Sequence, residues 1–424
     1  MKQVREIKDQ ANAFHWAWII LITCFVNLFL NYSARLGFGI ILPEMIRSLD
    51  LSRTAGGSIY NSYLFTYITI TPFTGILTDR LGGRRVITAC CLFVGVGLIL
   101  MGTTQGLVSA CLFYAIVGIG ASGMWTPVIT IVQRWFSPHR RGLALGILST
   151  GYGLGFATLG VVFPWIVSHF SWRFGWYSLG VGMLVMVFIN GLLLRSSPED
   201  VGFSPWGQKE YESNLSSVRS HTAVKDSIFR TIFRSKTFWI IGISYLLIAY
   251  GLYGITTFMV DYAKYQLGLD LEKASFLATV HGSSQVLGVL IIVPISDYLT
   301  RKKTLIVSNT FIMASLIGIL FAGRSWVTLI ILIGILGTFY GAVWPLYGAC
   351  AGDYFPRELM GTVIGAWTPL YGFGAIMVHW ITGMIRDATG SYDFAFIICI
   401  ITIGLSIALM CLVKPARKDT LSTL

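Results

Sequence analysis

Gly75-Ile-Leu-Thr-Asp79-Arg80-Leu-Gly-Gly-Arg84-Arg85 has a partner far along the chain, Pro294-Ile-Ser-Asp297-Tyr-Leu-Thr-Arg301-Lys302-Lys303. Both stretches close a long apolar run with an aspartate and a cluster of basic residues. The two aspartates lie 218 positions apart (79 to 297), and other pairs keep an offset of 219. Trp125 answers to Trp344, Phe136-Ser-Pro-His-Arg-Arg-Gly142 to Phe355-Pro-Arg-Glu-Leu-Met-Gly361, and Tyr152-Gly-Leu-Gly155 to Tyr371-Gly-Phe-Gly374. A repeat at one offset over this length means two like halves. Parallel repeats of this kind, with a site between the halves, suit alternating access.

The segments around these loops set the solvent. Of 424 residues, 55% are hydrophobic and 12% charged, about half the charged share of a soluble globule. Twelve apolar segments are long enough to cross ~30 Å of hydrocarbon at ~1.5 Å per residue. They run over 15–43, 56–78, 86–104, 107–132, 142–168, 173–194, 237–262, 274–296, 304–323, 326–351, 361–385 and 391–413. The expected fold is an all-α membrane protein in which twelve helices form two pseudo-symmetric six-helix bundles. Its parts are residues 1–195, a linker loop over 196–236, and residues 237–424. The apolar run after the charged N-terminus is too long for a signal peptide and reads as the first span.

The net charge of +12 does not point to nucleic acid, because the basic residues sit in short loops. With the N-terminus inside, the cytoplasmic side takes Lys2, Arg5, Lys8, Arg80, Arg84, Arg85, Arg134, Arg140 and Arg141. It also takes the central loop, Arg301 to Lys303, Arg357, Lys414, Arg417 and Lys418. The other side keeps Arg47, Arg53, Arg173, Lys264, Lys273, Arg324 and Arg386. An excess of about three to one places both termini in the cytoplasm of a multi-pass inner-membrane protein. All seven cysteines fall in apolar runs without metal spacing or a disulfide frame. No metal or cofactor is implied.

Gly75-x-x-x-Asp79-Arg80-x-Gly82-x-Arg84-Arg85, with its second-half echo, resembles the signature loop of the major facilitator superfamily. The resemblance covers essentially the whole chain. It implies a secondary transporter, complete as a monomer in the bilayer. Arg134-Trp135-Phe136-x-x-x-Arg140-Arg141-Gly142, Ser171-Trp172-Arg173 and Pro198-Glu199-Asp200-x-Gly202 are similar to bacterial monocarboxylate-porter-like members. An Arg eight residues before a Pro in the first helix (Arg35, Pro43) resembles the organophosphate and anion:cation symporter branches, where that Arg binds the substrate anion. Monocarboxylate porters typically carry an Asp and an Arg in helix eight. Here that helix, Phe276 to Pro294, has neither, so proton symport does not carry over directly. By the same resemblance Asp79 with Arg84 and Arg85, echoed by Asp297, is a gating latch that holds the outward-open state. The alternative is a topology signal, to which Gly75, Gly82 and Asp79 would add nothing.

Arg35 is the one Lys or Arg that falls outside loops, tails and helix ends. A charge in the hydrocarbon zone costs at least ~3 kcal/mol on insertion scales, so such a residue is a functional-site hypothesis. No acid lies close in sequence. A buried cation without a counter-ion suits an anion, and a guanidinium grips a carboxylate with two parallel hydrogen bonds. The rival reading is an Arg that snorkels outward. Depth along the helices brings Asn31, Tyr67, Trp125, Tyr152, Tyr253, His281, Gln285, Tyr340, Trp367 and Tyr371 to the same level as substrate-binding candidates. Aromatic walls suit a small organic acid better than a sugar. Each of these aromatics has a packing reading as well. His281 is the candidate for proton coupling, since an ordinary imidazole titrates near pH ~6.5; a hydrogen-bonded core histidine is the alternative.

Four functions compete. The first is transport of a small organic anion, a monocarboxylate such as lactate, with a proton as candidate co-substrate. Export of cationic drugs would use a deep acid, which the first half lacks. Organophosphate exchange pairs two basic residues across the halves, and the second half offers no deep one. A non-transporting membrane sensor is the fourth. No phosphate-binding loop and no nucleophile–base constellation points to an enzyme or an ATP-driven pump.

Overall fold

The computed structural model describes residues 15–137, 139–207, 233–355 and 360–414. Most of the expected 196–236 linker lies outside the described residues. So do the basic residues before position 15, Arg357, Arg417 and Lys418. The described chain is helical, with one isolated bridge joining Phe136 and Trp206.

The helices are α1 (Trp16–Ser48), α2 (Arg53–Leu81), α3 (Gly83–Gly102), α4 (Leu107–Ala121), α5 (Thr126–Trp135), α6 (Arg141–His169) and α7 (Trp172–Leu193). After the linker come α8 (Lys236–Asp261), which runs into a π turn at Tyr262–Gln266, then α9 (Leu271–Leu299), α10 (Arg301–Ala322), α11 (Trp326–Tyr354), α12 (Met360–Thr389) and α13 (Asp393–Leu412). Shifting the first set by the 219-residue repeat returns the second set to within two residues at every corresponding end, with the π turn counted in α8 and α4 and α5 taken together. The repeat read in the motifs is therefore a repeat of helices.

One expected segment is broken. The run over 107–132 divides into α4 and α5 at Ser122–Trp125, ahead of Pro127, whereas its counterpart α11 stays helical through Pro345. Among the described residues ten helical segments, α4 and α5 together counting as one, are apolar and long enough to cross a bilayer. Helices α2 and α12, 29 and 30 residues long, are long enough to join this set and carry polar side chains along their length. Their position explains it. They pack against each other across the middle of the molecule, so their Ser, Thr, Asn and His side chains find partners in protein.

Helix α1 has 33 residues, about 50 Å of helix at ~1.5 Å per residue. Every side chain from Asn31 to Pro43 is buried, the pattern of a helix enclosed on all sides. It continues through Pro43, so Arg35 lies near its middle rather than two turns from its end. Helices of each half pack mainly on one another, and the halves meet through α1 with α8, α2 with α12, and α6 with α9. The last two pairs exchange under the repeat.

We call the side where the described chain begins and ends the near face and the opposite side the far face. The far face is closed. Asp387 of α12 accepts hydrogen bonds from the backbone N–H of Arg53 (2.9 Å) and Thr54 (2.8 Å) and from the Thr54 hydroxyl (2.6 Å) at the start of α2. Arg53 pairs with buried Asp261 of α8 at 3.3 Å, and Glu44 pairs with Lys264. Gly57 of α2 lies flat on α12: an added Cβ would stand 2.5 Å from the His379 carbonyl oxygen. At the near face, a Cβ at Gly146 or Gly365 would meet open space.

Candidate functional site

A cavity of about 640 Å³ lies between the halves. Its lining comes from α1, α8 and α9 and from the near-face parts of α2, α5, α6, α11 and α12, and Arg35 stands at its inner end. It therefore runs from the centre of the molecule toward the near face.

Arg35 is buried, with 4% of its surface exposed. One terminal nitrogen, Nη2, donates to the hydroxyls of Tyr253 on α8 (2.7 Å) and Tyr371 on α12 (2.8 Å). These two hydroxyls also hydrogen-bond each other. Nε is buried without a partner. Tyr67 places its ring 4.9 Å from the guanidinium carbon, and Tyr32, Tyr63 and Tyr253 stand within 6 Å, the range of a cation–π contact. No carboxylate pairs with Arg35 among the described residues. Neutral hydroxyls and ring faces orient this cation and leave its charge uncompensated. A residue from the first half is thus gripped by two tyrosines from the second.

The expected residues divide. Arg35, Tyr67, Trp125, Tyr152, Tyr253, Trp367 and Tyr371 all line the cavity. Tyr340 sits behind the wall, its hydroxyl 3.3 Å from that of Tyr152. Asn31 is buried, and its side-chain oxygen has no partner. His281 and Gln285 lie off the cavity. Gln285 Nε2 bonds His281 Nδ1 at 2.7 Å, and both side chains are sealed where α9 meets α6 and α11. Gly337 and Gly341 let α11 come down onto these two residues, which leaves no path from His281 to the cavity through that side.

Three tyrosines of the cavity were not anticipated, Tyr32, Tyr245 and Tyr347. Tyr32 precedes Arg35 by three positions and so shares its helix face. Tyr245 precedes Tyr253 by eight, again one face, and stacks on Tyr371 with ring centres 5.4 Å apart. Spacing from Arg35 and from Tyr253 is the sequence signal that marks Tyr32 and Tyr245.

At the near end, Asp79 is exposed and makes no ion pair or hydrogen bond among the described residues. The Arg84 side chain donates to the Gly191 carbonyl of α7, its backbone N–H donates to Ser196 Oγ at 3.2 Å, and Arg85 is exposed. Asp297 pairs with Arg301 within its own loop. The near-face aspartate of the first half is therefore free while that of the second is held locally.

Comparison with known proteins identifies the family and the fold. The profile of the Major Facilitator Superfamily matches residues 24–273 and 241–423. The hexuronate transporter of Bacillus subtilis is 22% identical over 93% of this chain and 94% of its own. Monocarboxylate transporter 4 of Mus musculus is 21% identical over 90% of this chain and 80% of its own. Among solved structures, a bacterial homologue of the human lysosomal transporter Spinster, inward-facing and unoccupied, superposes with a TM-score of 0.71 at 16% identity, covering 94% of this chain and 96% of that one. With the profile covering nearly its full length, this chain belongs to the Major Facilitator Superfamily of membrane secondary transporters.

Proposed function

We propose that this transporter carries a small organic anion with one carboxylate, of which lactate is the representative, and that Arg35 is the group that holds it. The observation behind this reading is a buried guanidinium at the inner end of a cavity with no acid paired to it. A carboxylate supplies the missing charge and accepts from the free edge of the guanidinium, and aromatic walls accommodate the organic remainder. The names of the two relatives, hexuronate and monocarboxylate, belong to acids of this chemistry.

Twelve spans in two six-helix bundles, 1–195 and 237–424, rock about this site, with the linker between them. The excess of basic residues puts the near face in the cytoplasm, so the structure described above is inward-open. Free Asp79 fits that form. In the outward-open form it would join Arg84, Arg85 and the facing helix ends as the near-face latch. One monomer contains the whole path, and the driving force is an ion gradient or exchange.

The test is uptake of radiolabelled monocarboxylate into proteoliposomes. Uptake is lost in Arg35→Ala and is not restored by Arg35→Lys, because an ammonium cannot reproduce a bidentate grip. Normal uptake by Arg35→Ala would refute the assignment. An arm with organic phosphate separates carboxylate from phosphate transport, and an arm with an inward proton gradient separates symport from exchange.

A further inference from the structure

His379 bridges the two halves in the closed far-face seam, and none of the roles assigned above uses it. Its imidazole, on α12, is wholly buried. Nδ1 lies 2.9 Å from Asn61 Oδ1 on α2, and Nε2 lies 2.9 Å from Thr257 Oγ1 on α8. Asn61 Nδ2 donates to the Ile376 carbonyl at 3.0 Å, which fixes the amide so that Oδ1 faces the histidine. An amide oxygen only accepts, so Nδ1 carries a proton; the Thr257 hydroxyl, which can donate or accept, serves a neutral ring by donating to Nε2. A neutral ring in this seam is therefore held in one tautomer, with its proton on Nδ1.

What surrounds it makes the charged form costly. From α2 the Tyr60 ring packs on it, with centres 4.5 Å apart. From α8 come Tyr253, at 5.9 Å, and Phe258, at 6.4 Å. From α1 the charged neighbour is Arg35, which Tyr253 binds directly. Carboxylates on the packed helices are engaged elsewhere. Asp261, one turn beyond Thr257, holds Arg53 and Tyr392; Asp387, two turns beyond His379, caps α2; and Glu44 holds Lys264. A second buried positive charge beside Arg35, with no acid in contact with it, is costly in such a site. When the far face opens, α2 leaves α12, Asn61 leaves Nδ1, and the imidazole meets water.

We propose that His379 is a proton-binding site that senses the far side of the membrane: protonation holds the far face open, and the face closes over a neutral ring or over an anion bound at Arg35. This rests on the alternating-access reading given above, and it adds the element by which proton and anion are linked. An exposed imidazole titrates near pH ~6.5. If the closed form admits the neutral ring alone, the ratio of far-open to far-closed molecules rises about tenfold between pH ~7.5 and ~5.5.

Purified full-length protein carrying spin labels at Gln105 and Ser325, exposed far-face positions of the two halves, reports this ratio as a distance distribution. The exposed Cys411 is replaced by Ser for labelling. Acidification should shift the wild-type population toward the longer distance, and added lactate should reverse part of the shift. His379→Asn, which keeps a donor for Asn61, should fold, open and close without pH dependence. Asn61→Asp places a carboxylate against the ring and should turn the response around, acid then favouring the closed face. A wild-type ratio indifferent to pH, or an unchanged pH response in His379→Asn, overturns the proposal. A far face that never opens, at any pH and with or without anion, instead overturns alternating access itself.

Discussion

Asp387→Ala should open the far face by an amount the structure allows one to work out. The carboxylate caps α2 from another helix and from the other half. It accepts from two backbone N–H groups of the first turn and from the Thr54 hydroxyl. Loss of a helix cap costs about 0.5–2 kcal/mol, and loss of a negative charge at a helix N-terminus about 0.3–1 kcal/mol. Asp387 is exposed at the far face, which puts the charge contribution at the low end through screening. About 1–2 kcal/mol is then removed. Because the cap spans the halves, it exists only while the far face is closed, and the whole amount falls on the open–closed equilibrium. That corresponds to a five- to thirtyfold rise in the far-open fraction relative to far-closed. The spin-label distance between Gln105 and Ser325 reads it. Asp270→Ala is the control: Asp270 caps α9 within one half, at 2.7 Å from the Lys273 N–H, so its loss lowers stability without moving the distance. Identical distributions for Asp387→Ala and wild type would refute the claim that this cap is a far-face latch.

Three further outcomes are expected. Asp79→Asn costs nothing in the near-open form, where the carboxylate is free, and removes the latch of the opposite form; labelled near-face positions should therefore show more of the open state. Tyr253→Phe and Tyr371→Phe each remove one hydrogen bond that orients Arg35 and should weaken carboxylate binding about three- to tenfold, at roughly 0.5–1.5 kcal/mol per bond. Asn190→Leu breaks the reciprocal amide pair with Asn27 (2.8 and 3.0 Å) beside Cys91. Asn27 keeps the Thr23 carbonyl and the Cys91 thiol, so the loss is that of two buried hydrogen bonds, about 1–3 kcal/mol, seen as a lower melting temperature with anion affinity unchanged.

Much of the fold was legible because the bilayer is a severe solvent. It demands long apolar helices, and the duplicated Asp79 and Asp297 loops reveal their arrangement in two like sets. The break between α4 and α5 was not legible, since apolar composition continues through it and only the Ser122–Trp125 turn ahead of Pro127 interrupts the helix. The polarity of α2 and α12 was also hidden: Asn61, His379 and Thr54 are tolerated because each finds its partner on a helix more than 100 positions away. At the site, Arg35 stood out by its cost in hydrocarbon. Tyr152 and Tyr371 stood out by symmetry, which carries both to the cavity. Sequence depth alone could not separate Tyr253, which faces the cavity, from His281, at a similar depth, which faces neighbouring helices. Rotation about the helix axis decides that, and α9 turns His281 and Gln285 toward α6 and α11. The same limit hid His379, whose significance comes from Asn61 and Thr257 converging on it from two other helices.

Ligand binding to purified protein tests the central claim most directly. Isothermal titration with lactate, inorganic phosphate and an organic cation, on wild type and on Arg35→Gln, separates the charge of the site from its shape. The account predicts heat from the carboxylate with wild type and none with Arg35→Gln, while the cation is silent with both. Equal carboxylate binding by the two proteins, or binding of the cation in its place, would contradict it.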